Sequence, residues 1–171
     1  MEDRPFCATR GSFTAAKWWT VAILVTSVFI SIPPLNAVIH GTYAVTGHAM
    51  GATIGIDTMI LLGACIWIIG EHLRGIDGEG SDQPLHCEAM RRTVIGLNLS
   101  VAALVLWLHV AGVVTGVTRM GFAPGEAYVP PAWLAATSGP VFAATGALAV
   151  VFFVRLLHTL MPLAFRRLPP A

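Results

Sequence analysis

TVIGLNLSVAALVLWLHVAGVVTGV, residues 93–117, runs for 25 residues without an acidic or strongly basic side chain and holds one histidine, His109. About 20 apolar residues suffice to cross a hydrocarbon core. Backbone groups inside lipid have to pair within their own segment, so such a run is a helix. Working outward, three more runs of the same kind cover residues 18–39, 43–70 and 132–157. The alternating segments of a β-barrel are missing. Composition agrees: 56% of the 171 residues are hydrophobic, 11% are charged, and mean hydropathy is +0.74. Soluble domains carry about 25% charged residues. The fold class expected is therefore all-α integral membrane, one membrane domain over residues 1–171 with four transmembrane helices. A net charge of +1 excludes a general electrostatic grip on nucleic acid; the surroundings expected are a lipid bilayer.

Local chemistry refines these spans. Pro33 and Pro34 end or kink the first helix near its far end. No charged, apolar and small-residue cleavage pattern marks a signal peptide, so the N-terminus is expected to be retained. Nine of the ten basic residues, among them Arg4, Arg10, Lys17, Arg74, Arg91 and Arg92, fall on one side of this four-helix layout, and Arg119 alone on the other. By the positive-inside rule both termini and the connector 71–92 are cytoplasmic, in a multi-pass protein of the inner (cytoplasmic) membrane. That connector is acidic and glycine-rich and is expected to be solvated, while residues 121–131 form a short external loop. Trp18, Trp19, Trp67 and Trp133 lie near span ends, as interfacial aromatics do. Cys7, Cys65 and Cys87 share no metal or redox spacing and are expected to be reduced thiols. The lack of a CxxC pair argues against a disulfide-generating enzyme.

Ionisable residues within a span are costly and are functional candidates by default. Three are intramembrane here: His48 and Asp57 in the second span and His109 in the third. His40 sits at the external boundary; His72, His86 and His158 lie at or beyond the cytoplasmic one. At the helical rise, His48 and His109 fall roughly 8 and 12 Å below the outer ends of their helices, so they could share one layer. Each is followed by glycines at i+3 and i+7, Gly51 and Gly55 after His48, Gly112 and Gly116 after His109. A histidine above a glycine face offers a slot of the kind a haem plane needs; small-residue helix packing is the alternative. Asp57, with Thr58, could lie on a proton route, or could bind Thr53 or Thr58 by a hydrogen bond.

The stretch IPPLNAVIHGTYAVTGHAMGATIGIDTMILLG, residues 32–63, resembles the tenth transmembrane helix, and its approach, of nitric oxide reductase catalytic subunits in the haem–copper oxidase superfamily. There a His-Gly-Thr precedes a His-x-His pair whose first histidine binds the high-spin haem and whose second binds the low-spin haem. The resemblance places His40, Gly41 and Thr42 on the His-Gly-Thr and makes His48 the high-spin haem ligand. It also implies that the four spans correspond to the family's last four helices, whose in-and-out order matches the order given by the basic residues. Met50 stands where the second histidine belongs; methionine can ligate a low-spin haem iron. The helices that carry the family's non-haem metal ligands have no counterpart, so this chain cannot form a binuclear centre by itself. His109 has no ligand role in the family.

Three readings follow. One is a membrane subunit related to the C-terminal part of such a reductase, working beside other membrane subunits of a respiratory electron-transfer complex, with a periplasmic cytochrome as electron donor. Another is a small cytochrome holding one haem b between His48 and His109. The last is an accessory or assembly subunit without a cofactor.

Overall fold

The computed structural model describes residues 7–77, 85, 88–123 and 126–165, and every regular element among them is helical. In chain order these are α1 (Cys7–Ser31), α2 (Pro33–Ile39), α3 (Tyr43–Met50), a π-helical segment (Gly51–Asp57), α4 (Thr58–Asp77), α5 (Glu88–Arg119) and α6 (Ala132–Ala164). Among the described residues four helices are long and apolar enough to cross a membrane: Ala8–Ser31, Tyr43–Ile76, Glu88–Arg119 and Ala132–Ala164. The chain is a multi-pass membrane protein.

The proline pair acts as its chemistry requires. Ile32 is extended (φ −78°, ψ 114°) and Pro33 opens the seven-residue α2, where its missing N–H leaves nothing unpaired. Gly41, at φ +71°, then takes the left-handed turn that a β-carbon would disfavour. Thr42 caps α3, its hydroxyl oxygen accepting the Ala44 N–H at 3.3 Å while donating to the Ile39 carbonyl at 2.6 Å. Residues 32–42 are thus a compact helical reversal between the first two spans.

The first span lies further towards the N-terminus than residues 18–39. α1 already begins at Cys7, and Arg10 and Lys17 are exposed on its first turns. Long basic side chains reach outward from a helix without ending it. Trp19 is consequently mid-helix rather than interfacial. It is buried, whereas Trp18, Trp67 and Trp133 are exposed. Its ring lies on Gly55, and Nε1 donates to Oδ1 of Asn98 at 2.7 Å. One side chain therefore joins α1, the π segment and α5.

The connector 71–92 is helical at both ends. α4 runs on through Asp77, with Arg74 donating to Glu71 at 3.1 Å, and α5 starts at Glu88, which pairs with Arg91 at 2.7 Å and Arg92 at 3.0 Å. Pairs at i+3 and i+4 support the exposed side of these turns, while Leu73 and Met90 are buried in the core. The middle of the connector, residues 78–84 with 86 and 87, is outside the described residues.

α5 is the centre of the bundle. It packs against α1, α2, α3, the π segment and α6, and 39% of its apolar window is buried, against 6% for the first and last spans. Its inner positions Val94, Leu97, Val101 and Val105 meet Met59 and Ile66 of α4 and Leu156 and Leu160 of α6 in one core. α6 lies along α5, where Phe152 covers Gly96, and it keeps most of its surface outward.

Candidate functional site

His48 is half-buried on α3 and turns towards α1, its Nδ1 2.9 Å from the hydroxyl of Thr26. That hydroxyl is also 3.0 Å from the Ile23 carbonyl. A hydroxyl has one proton. If it goes to the carbonyl, Nδ1–H of His48 donates to Thr26 and Nε2 carries the lone pair; in the other tautomer Thr26 donates to Nδ1.

His109 has only one solution. Its Nδ1 is 2.8 Å from the Val105 carbonyl, which can only accept, so Nδ1 carries the proton. In the neutral ring Nε2 then holds a lone pair, and this atom is buried without a partner. A proton fixed on Nδ1 by a carbonyl and a bare Nε2 are the preparation of a metal-ligating histidine.

The two rings lie at one level, as their positions along the helices suggest, because His109 rests on the residue before His48: a β-carbon on Gly47 would meet His109 Nδ1 at 2.8 Å. They do not share a face. Successive residues of an α-helix are turned by about 100°. Gly47 looks towards α5 and His48 towards Thr26 of α1. Among the described residues no three His, Cys, Asp or Glu side chains gather closely enough for a metal ion.

The glycine faces are filled by protein. β-Carbons at Gly51 and Gly55 would run into Ile23 and the Trp19 ring; those at Gly112 and Gly116 would run into the backbone of Ala44 and of Val38. These are the close approaches that small residues permit between membrane helices. A haem fits the donor chemistry of His109 but not the space along these faces, which two neighbouring elements occupy. Met50, where the resemblance implies a second iron ligand, packs against the hydrophobic core. His40 is exposed at the end of α2, beside a cavity described below.

Asp57 closes the π segment. Helices with i→i+5 pairing are rare, occur mostly as single turns and favour functional positions. Here the Thr58 N–H reaches the Thr53 carbonyl, and the Thr58 hydroxyl approaches the same oxygen at 3.4 Å. The Thr53 hydroxyl donates to Ala49 at 3.0 Å. Both threonine hydroxyls are thus directed at main-chain carbonyls and not at Asp57. The aspartate is exposed near the middle of the Tyr43–Ile76 span, with no hydrogen bond or ion pair among the described residues.

Two structural features of the candidate site were not anticipated from the sequence. Asn98 is an amide inside an apolar run, a signal as plain as that of the histidines, and it receives the Trp19 indole. The π segment has no such signal. Comparison of the chain with family models, with characterised proteins and with solved structures finds no match.

Proposed function

We propose that this chain is one subunit of a larger membrane assembly, related to the C-terminal helices of nitric oxide reductase catalytic subunits, and that it joins its partners through the Asp57 face of the second span. The observation that carries this is the exposure of Asp57 near the middle of a membrane-crossing helix. An aspartate at the centre of a membrane helix costs about 2.5–3.5 kcal/mol on insertion scales. A polar or basic group on a neighbouring chain removes that cost, and lipid does not. The respiratory setting, the cytoplasmic membrane, the inward orientation of both termini and a periplasmic electron donor rest on the resemblance and on the basic-residue distribution.

The test is purification of the chain from its native membrane in mild detergent, with and without Asp57→Leu. The wild-type chain is expected to bring other membrane subunits with it and the variant to come alone while staying helical. Undiminished co-purification of the same subunits with Asp57→Leu refutes the docking role.

A second reading is favoured by the bare Nε2 of His109: a cytochrome in which His109 and His48 hold a b-type haem, the group that would supply one-electron transfer. In it the Val105 carbonyl and the Thr26 hydroxyl orient the two rings. It requires the contact at Gly47 to open, the two rings to turn towards each other and a neighbouring element to leave the glycine faces. A reduced-minus-oxidised spectrum of the isolated chain that vanishes in both His48→Ala and His109→Ala supports it; a haem spectrum that survives His109→Ala excludes it.

A further inference from the structure

A cavity of about 820 Å³ opens where the first turns of α3 and α6 meet the last turn of α5. This is the size of a small-molecule site. Arg119, His40, Thr46, Thr115 and Ser138 belong to its polar lining, Leu134 and Val45 to its apolar wall, and no carboxylate among the described residues lines it. It lies at the end of three membrane-crossing segments, beside the exposed Val129 and Trp133.

Arg119 and Glu126 are the two formally charged side chains at this end among the described residues, and no ion pair joins them. Arg119 has no ion pair among the described residues; its guanidinium carbon lies 5.3 Å from the centre of the Tyr128 ring. Tyr128 is held in turn by its hydroxyl, 2.8 Å from that of Thr118. Glu126, on the same connection, accepts the Ala123 N–H at 3.0 Å. The first turn of α6, whose Leu134 and Ala135 line the cavity, follows Pro131 and has no side-chain cap. The positive end of that helix dipole adds to the charge of Arg119.

From this cavity we infer a binding site for the phosphate-bearing head group of an anionic membrane lipid. Arg119 is its charge partner, because a guanidinium presents a planar fork of donors to phosphate oxygens. Thr46 and Thr115 line the same cavity and add hydroxyls for the head group, and its apolar residues take the glycerol and upper acyl region. The site is independent of any haem and of the Asp57 face.

Native mass spectrometry of the detergent-purified chain with phosphatidylglycerol and phosphatidylcholine tests this. The wild-type chain is expected to retain phosphatidylglycerol in preference to phosphatidylcholine. Arg119→Gln should retain it roughly tenfold less, the loss of one charge-assisted contact. Arg10→Gln, which removes an exposed cation from α1, should leave retention unchanged. Circular dichroism confirms that each variant is helical. Equal retention of the two lipids by the wild-type chain, undiminished retention by Arg119→Gln, or an equal loss in Arg10→Gln overturns the assignment. Glycerol 3-phosphate separates the sources of the anion: failure to displace phosphatidylglycerol supports the lipid, whereas displacement keeps the Arg119 anion site and overturns the lipid as its occupant.

Discussion

Two glycine-to-alanine changes distinguish a helix contact from an open helix face. Gly112 of α5 lies against the Ala44 backbone of α3, and a methyl there would overlap the Ala44 nitrogen and Cα. Gly146 of α6 has nothing within 4 Å of the same methyl position. Both are helix interiors, so each substitution gains the same intrinsic term, about 1 kcal/mol at most. That term cancels when the two variants are compared. What remains is the packing cost at Gly112. The obstacle there is main chain, which cannot rotate aside as a side-chain tip can, so α3 and α5 have to part. Overpacking of this kind costs roughly 1–3 kcal/mol.

Gly146→Ala is accordingly expected to be as stable as the wild-type chain or slightly more so. Gly112→Ala should fall below Gly146→Ala by roughly 1–3 kcal/mol. Unfolding by SDS in mixed micelles, followed by helicity, measures both. Equal stability of the two variants would mean that α3 and α5 do not meet at Ala44 and Gly112. The contact that aligns His109 with Gly47 would fall with it, since both lie on the same pair of helices.

Trp19→Phe and Asn98→Ala should show a coupling of about 0.6 kcal/mol, with roughly 1.7 kcal/mol the upper end for hydrogen bonds inside membranes; strict additivity in the double mutant would remove the bond. Thr42→Ala takes away the cap of α3 and should cost about 0.5–2 kcal/mol, measured by the same SDS titration. Gly96→Ala drives a methyl into the Phe152 ring and should loosen α6 from α5. Faster proteolysis within α6 is the expected result, and an unchanged cleavage rate would contradict the Gly96–Phe152 contact.

What could be read from the sequence was whatever depends on a residue and its near neighbours. The four apolar runs, the break at Pro33 and the turn before Tyr43 are of that kind. Trp19 shows the limit. Placed at a span end because Lys17 precedes it, it lies in mid-helix because exposed basic side chains let α1 start ten residues earlier than Lys17. The glycines show a second limit. Spacing at i+3 and i+7 marks a flat face but not what lies on it, and Trp19, Ile23, Ala44 and Val38 all come from elsewhere in the chain. The π segment is a third case. Its packing partners are on α1 and α5, so no local pattern in GATIGID announces it. The level shared by His48 and His109 followed from helical rise alone, whereas their divergence depends on which side of α3 each neighbour takes.

The placement proposed for a partner surface rests on what the chain has already used. Gly51 and Gly55 are spent on α1, Gly47, Gly112 and Gly116 on the contact of α5 with α2 and α3, and Gly96 on α6. The faces left open include the outer sides of α1 and α6 and the side of the second span that carries Asp57. Leucine, valine and phenylalanine on the first two gain little from a protein neighbour, because lipid tails are as apolar as they are. Asp57 differs in kind. Its carboxyl can be satisfied by a donor from another chain and by nothing in the hydrocarbon, so a second chain changes the energy most at this face. Removing the carboxyl should therefore separate two effects that a purely apolar interface would keep together: Asp57→Leu makes the isolated chain easier to insert and the assembly harder to form.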